Sequence, residues 1–487
     1  MILGTYEMTP HKAPTLDEIF TSLLARRRSR GVLRDLTTSD KNLVDFSSND
    51  YLSISRRPDV RQAYISQIQR LGELGVEGFS LGSGGSRLLD GNTELAESLE
   101  RRLAEFHGAE AGLLFNSGYE ANTGLLASAP QAGDVVIFDE AIHASVHSGI
   151  KLSRAGLSIP FAHNRVWKQA DYLDHKDDSL QRTRLDVLSL EGTLERLLEG
   201  ECGAAILAGQ RHVFITVEAL YSMDGDVAPL RDVVQCVEKY LRMGNGLVIV
   251  DEAHSNGIFG DRGQGLACQL GLESRIWASV LTFGKALGCA GGTSRAGCAF
   301  QILLVYAKLI FSMAVAIILC SQTTRAYLIN YARTFIYTTA MGPPGLLSIQ
   351  VAHEFVASGH ADVLRSKLQG LIQHVHARLG SISRHHDPSA TIVRLRAASL
   401  QSPIIPIFTS RAKSLARHCQ SHGLMVRAIV APTVPRGTDR LRICLHAGNT
   451  DGDCDKLCNA IEEWVSLQSI LKEQGLPVSA HPIKNRL

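Results

Sequence analysis

Short apolar runs and longer amphipathic stretches alternate along this chain. Between about 90 and 270 the runs AGLLFNSG, DVVIFDE, HVFITVEAL and GLVIVDEAH are separated by helical patterns such as TELAESLERRLAEFHG. That alternation predicts stacked β-α units around a mostly parallel sheet flanked by helices. The active edge of such a sheet is the carboxyl end of its strands, and several runs end there in polar residues. Beyond about 345 the pattern changes to longer helices with few strands, closing on RLRICLHAG and a last helix near 451–471. The chain therefore reads as α/β. An N-terminal helix and small-domain segment occupies 1–60, a large α/β domain 61–345 and a smaller α+β domain 346–487. LDEIFTSLLARRRSRGVLR, at 16–34, predicts an arginine-rich polar helix lying on the surface or against a partner subunit.

Composition narrows the picture. Of 487 residues, 45% are apolar and 20% charged, with a formal net charge of +2. That balance gives no reason to expect nucleic acid as a partner. The 10 cysteines form no CxxC pair, so neither a metal site nor a disulfide framework is expected. The N-terminal residues lack the apolar core of a signal peptide. The final Asn485-Arg486-Leu487 is a loose variant of a peroxisomal address, which makes the expected location peroxisomal or cytoplasmic.

Three stretches carry candidate chemistry. In GLVIVDEAHSNGIFG an apolar strand ends in Asp251, with His254 three residues on. A strand-end carboxylate can bind a metal, act as a base, pair with a cation or cap a helix. In VLTFGKALGCAGG, Lys285 sits in a glycine-lined turn. A desolvated lysine there has a lowered pKa and can form a Schiff base, although a lone lysine is more often a surface group. FNSGYEAN follows a strand and opens a helix, so the Gly118 and Tyr119 amides would face an anion. SLGSGGSRLLDG is glycine-rich but matches no phosphate-loop signature. Ser222 and Thr282 add hydroxyls, and His143 follows a strand in DEAIHASVHSG. Together these pieces ask for pyridoxal 5'-phosphate: an anion site, an acid for a ring nitrogen, a flat group to stack, and an amine for the aldehyde.

Ten segments extend the match over nearly the whole chain in one order: FSSNDYL, GSGGSRLLDG, FNSGYEAN, FDEAIHAS, FAHN, YSMDGDVAPL, VDEAHSNGIFGDRGQG, TFGKALG, IYTTAMGPP and APTVPRGTDRLR. On these the chain resembles the α-oxoamine synthases, pyridoxal-phosphate enzymes of fold type I, and most of all the branch that joins L-alanine to a pimeloyl thioester. The resemblance implies that Lys285 carries the cofactor and then takes the α-proton. It implies that Asp251 pairs with the pyridine nitrogen, that His143 stacks on the ring, and that Ser222 and His254 reach its phenolic oxygen. Gly118, Tyr119 and Thr282 surround the cofactor, with Thr282 near the phosphate. Thr338 and Thr339 reach the phosphate of the neighbouring subunit in a homodimer. Arg442 clamps the amino-acid carboxylate as a bidentate fork. Thr433 and Arg34 contact the acyl substrate, and His254 also polarises the acyl carbonyl.

Two segments depart from that pattern. A polar one, near 165–186, predicts a surface loop, and an apolar one lies near 293–314. Joined to the next strand, the second gives AFQILLVYAKLIFSMAVAIILC, nearly a membrane span, but Lys308 and the enzyme motifs on both sides speak against a membrane. Each has the length a short translated intron of a fungal-type gene would encode. Val430 also replaces an arginine that close relatives can carry, which bears on acyl selectivity. Two rival readings use the same residues: an oxoamine synthase with another acyl donor in secondary metabolism, and a non-catalytic partner subunit. The retained Lys285 opposes the latter.

Overall fold

The computed structural model describes residues 14–30, 32–34, 36, 42–73, 80–168, 187–289, 315–387, 392–395 and 399–474. A seven-stranded sheet carries the middle of the chain. Its strands are β2 (Ala111–Phe115), β3 (Val135–Asp139), β4 (Leu157–Phe161), β5 (Val213–Glu218), β6 (Gly246–Asp251), β7 (Ala278–Thr282) and β8 (Ala316–Cys320), in the order β2-β8-β7-β6-β5-β3-β4. Only β8 runs against its neighbours. The apolar runs form strands because both faces are covered: every residue of β2, β5 and β8 is buried.

A second sheet is antiparallel, in the order β12 (Arg427–Ile429), β13 (Arg440–Cys444), β10 (Ile404–Phe408), β9 (Arg394–Leu395). A short parallel pair joins β1 (Val44–Asp45) to β11 (Leu424–Met425) and ties the N-terminal segment to this region. NLVDFSSNDYLS thus contributes only two strand residues, and the rest is a turn whose Tyr51 and Leu52 are fully buried.

The glycine-rich stretch 80–91 is a packed turn. A Cβ on Gly91 would lie 2.1 Å from the Gly85 carbonyl oxygen, so only glycine fits. Arg87 leaves the turn to meet Glu100, donating from Nη1 at 2.7 Å, and Arg325 donates to the same carboxylate at 2.8 Å. The Leu114 amide adds a bond of 2.8 Å, so this buried acid is fully answered.

Helix Leu16–Ser29 has no buried residue. The charged residues that suggested a polar helix leave an apolar stripe of Leu16, Ile19, Phe20, Leu23 and Leu24, all exposed. The apolar segment near 293–314 lies outside the described residues, as does most of the polar one. Arg165–Lys168 are described, and they are no surface loop: the Arg165 and Val166 carbonyls accept from the Leu190 and Glu191 amides, and Val166 is buried. Among the described residues no helix is long and apolar enough to cross a membrane.

Candidate active site

The carboxyl ends of β2, β3, β5, β6 and β7 deliver the chemistry-bearing residues to one edge of the large sheet. Asp251 closes β6 and is buried. Its Oδ1 accepts the Ala253 amide at 2.9 Å, and its Oδ2 accepts Asn122 Nδ2 at 2.7 Å. It therefore caps a turn rather than a helix. Asn122, on helix Gly118–Ser128, also donates to Ser145 Oγ at 3.1 Å, while its own Oδ1 has no partner.

Lys285 follows β7 in a turn closed by the Gly288 amide on the Lys285 carbonyl. Gly288 has φ +66°, and a Cβ there would lie 2.5 Å from the Ser55 amide nitrogen, which explains the glycine. The lysine is half-buried, and burial holds its amine below the usual lysine range despite the nearby Asp251 and Glu218 carboxylates. Among the described residues its ammonium has no hydrogen-bond or ion-pair partner. Glu218 stands opposite Asp251 in the β5–β6 register. Burial, and then the Asp251 charge, push its carboxyl well above the ordinary carboxylate range, and its Oε1 is buried without a partner.

His143 caps helix Ala144–Leu152, where its Nδ1 accepts from the Ser145 amide. That bond fixes a neutral ring protonated at Nε2. Burial, with Lys285, lowers its pKa against the pull of Asp251. His254 is buried, with Nδ1 2.7 Å from the Tyr51 hydroxyl. Burial, then the Lys285, Arg442 and His143 charges, hold it neutral well below the usual imidazole range. Tyr51 also donates to Asn49 Oδ1 at 3.1 Å, and Arg442 Nη2 donates to that same oxygen at 3.1 Å. Arg442 Nε donates to the Ser222 carbonyl at 2.6 Å, while the Ser222 amide serves Glu218. One connected network thus joins β13 to the ends of β5 and β6.

At the start of helix Gly118–Ser128, the Ser117 hydroxyl takes the Glu120 amide. The Gly118 and Tyr119 amides have no acceptor among the described residues. A Cβ on Gly118 would lie 2.7 Å from Thr282 Cγ2, so β7 and this helix start meet there without a side chain between them. Thr282 Oγ1 donates to the Ala253 carbonyl, and the Tyr119 hydroxyl lies 2.6 Å from Ser148 Oγ. Thr339 is exposed, bridges Ser86 and accepts Asn116 Nδ2 through its carbonyl at 2.8 Å; Thr338 is half-buried beside it. Arg34 Nη2 donates to Thr433 Oγ1 at 3.3 Å, which brings together two residues 399 apart in sequence.

These residues fit pyridoxal phosphate: an unpartnered amine, a buried acid held by two donors, two neutral imidazoles close to them, and a helix start with free amides against Thr282. A cavity of 710 Å³ elsewhere, beside β3 and β4 and lined by Gly133, Leu157, Arg196 and Arg211, holds none of them. Chemistry rather than volume marks the site.

Sequence reasoning assigned no role to Asn49, Tyr51, Asn122 or Glu218, although NDYL and FNSGYEAN contain three of them. It also left FAHN unexplained. His163 lies between Asp139 (Nδ1 to Oδ1, 2.8 Å) and Asp226 (Nε2 to Oδ2, 2.6 Å), with its ring edge-on to Tyr221. Burial opposes its charge, but the two carboxylates overcome it and hold the imidazole well above its usual range.

Residues 41–461 match the family Aminotransferase class I and II. The chain is 43% identical over 452 residues to the 8-amino-7-oxononanoate synthase of Emericella nidulans, covering 93% of this chain and 96% of that protein. It is 30% identical to the aminoacyl transferase sphA of Byssochlamys spectabilis over 90% of this chain and 84% of that one. A serine palmitoyltransferase from S. paucimobilis, solved with a bound PLP–myriocin aldimine, superposes with a TM-score of 0.70 at 21% identity, over 94% of this chain and 100% of that one. That likeness shows the fold.

Proposed function

The chain belongs to the class I and II aminotransferase family, within it to the α-oxoamine synthases, and on that premise we propose that it condenses L-alanine with a pimeloyl thioester, releasing carbon dioxide and the thiol, to give 8-amino-7-oxononanoate for biotin synthesis. The cofactor is pyridoxal 5'-phosphate, and the enzyme is an acyltransferase. The observation that carries the reading is the unpartnered Lys285 close to the buried Asp251 and to His254 and Arg442, which a hydrogen-bond network joins, in a chain 43% identical to a synthase of that name.

Bound pyridoxal phosphate supplies an aldehyde for the amine and a ring that withdraws electrons from the α-carbon. Lys285 would hold the group, and its Nζ would take the α-proton. A lowered amine pKa suits a base at neutral pH. Asp251, clamped by Ala253 and Asn122, would keep the ring nitrogen protonated. His143 would pack on the ring. His254, oriented through Nδ1 by the Tyr51 hydroxyl, and Ser222 would bind its oxygen. The Gly118 and Tyr119 amides would hold the phosphate, with Thr282 beside them. Arg442, held by Asn49 and Ser222, presents its guanidinium to the alanine carboxylate. Arg34 and Thr433 guide the acyl chain.

A homodimer is part of this reading. The exposed Thr339 and the uncovered stripe on helix Leu16–Ser29 support a second subunit completing the site and covering the helix. The domain bounds proposed are 1–60, 61–345 and 346–487. One or both of the segments near 165–186, after the packed Arg165–Lys168, and 293–314 are proposed as retained intron sequence, and a mature transcript that contains both would refute this.

The experiment is incubation of the protein with L-alanine and pimeloyl thioester, followed by mass analysis for the amino-ketone. Product from longer acyl thioesters alone would favour the second reading, a synthase of secondary metabolism, which the 30% identity to sphA supports. A folded protein that never takes up the cofactor would leave only a partner-subunit role.

A further inference from the structure

A cluster away from this site has donor atoms with nothing to bind. Helix Ala412–Ser421 packs on β11, β12 and β13 and against helix Asp451–Glu473. His418 and His422 are four residues apart, so they share one face, with ring centroids 4.5 Å apart. Glu463 approaches from the facing helix. Its Oε2 lies 3.3 Å from His422 Nε2 and 3.9 Å from His418 Nε2, and all three atoms lie within 4.8 Å of one another.

The protons can be located. His422 Nδ1 is 2.9 Å from the His418 carbonyl, an acceptor, so Nδ1 carries the hydrogen. His418 bonds the Ala460 carbonyl, and its Nε2 is buried without a hydrogen bond, so its hydrogen also sits on Nδ1. Both rings therefore turn a bare Nε2 lone pair toward one carboxylate. With both rings neutral, none of the three atoms can donate to another, and a cation between them would satisfy all three at once. A proton is disfavoured on His418, which burial and then the neighbouring His422 hold below the usual imidazole range. Imidazoles oriented through their second nitrogen by backbone carbonyls are the usual outer shell of a metal ligand.

We propose that His418, His422 and Glu463 bind a divalent transition-metal ion of the zinc class, tying the two helices together. Two imidazole nitrogens and one carboxylate oxygen with an open fourth position suit zinc and disfavour magnesium or calcium. Ligand distances of about 2.0–2.2 Å require the donors to close by roughly an ångström. Glu463, whose side chain is 54% exposed, has the freedom to do so.

The test uses the full chain with its cofactor, stripped by a chelator and titrated with zinc chloride in a calorimeter and with cobalt chloride in a spectrophotometer. We expect one equivalent of zinc to bind and raise the melting temperature, and cobalt to show d–d bands without thiolate charge transfer. His418→Gln, His422→Gln and Glu463→Gln should each weaken zinc binding at least about tenfold and abolish the thermal shift. Glu463→Gln, at an exposed position, guards against a folding defect. Equal binding by all three variants, no thermal shift in the parent, or thiolate bands with cobalt would each overturn the proposal. None of these readouts depends on turnover.

Discussion

Two buried charged regions of this protein are built in opposite ways. Around Glu100, two arginines and a backbone amide leave no charge unanswered, and His163 is likewise enclosed by two carboxylates. Around Lys285 the polarity is left open: the amine has no partner among the described residues, and Glu218 Oε1 and Asn122 Oδ1 are orphaned. Native interiors rarely tolerate unpaired polar atoms, and each such atom calls for a reason. Paired charges hold elements together, whereas the unpaired set is what the proposed cofactor site would need.

Four substitutions separate these behaviours. Lys285→Ala should lower turnover by about 10³-fold or more and remove the cofactor's absorbance near the visible edge. Its melting temperature should change little, because the ammonium makes no hydrogen bond or ion pair among the described residues and Glu218 already sits above its ordinary carboxylate range. A large loss of stability would place Lys285 with the structural charges. Arg87→Ala should do the reverse. It leaves Glu100, 2% exposed, with Arg325 as its one remaining guanidinium, at a cost of about 3 kcal/mol in denaturant unfolding.

Glu218→Gln tests the open region by pH. The folded carboxyl stays protonated above its ordinary range, so its contribution to stability is full below about pH 4.3 and is lost as pH rises through the folded value. The glutamine variant should match the parent in acid and grow more stable than it toward neutral pH. The difference should follow a slope of about 1.4 kcal/mol per pH unit. Unfolding curves from pH 4 to 8 that stay parallel would show that Glu218 is ionised. The smallest effect is expected from Arg34→Ala, which loses one exposed hydrogen bond. The acyl-donor KM should rise about threefold to fivefold with kcat unchanged, equivalent to about 1 kcal/mol.

Much of the site was legible residue by residue. Asp251, Lys285 and Gly118 stand where apolar runs stop, and a reader who finds the strands finds their ends. Their partners were not legible in the same way. Tyr51 meets His254 across 203 residues and Arg34 meets Thr433 across 399, distances over which no periodicity carries information. Arg87 sat in a glycine-rich stretch that invited a phosphate, yet its guanidinium belongs to Glu100. The charges of helix Leu16–Ser29 masked its apolar stripe, and the polar segment near 165–186 hid the buried Val166 at its start.

By itself the sequence determined the strands, the edge at which they end and the kinds of group placed there. Burial on both faces makes a strand continuously apolar, and the first polar residue after it must leave the core. The tertiary structure alone decided which of those groups would be satisfied. Whether Lys285, Glu218 and the His418–His422–Glu463 cluster find partners depends on what folds against them from distant parts of the chain, and hydrogen bonding acts only over about 3 Å.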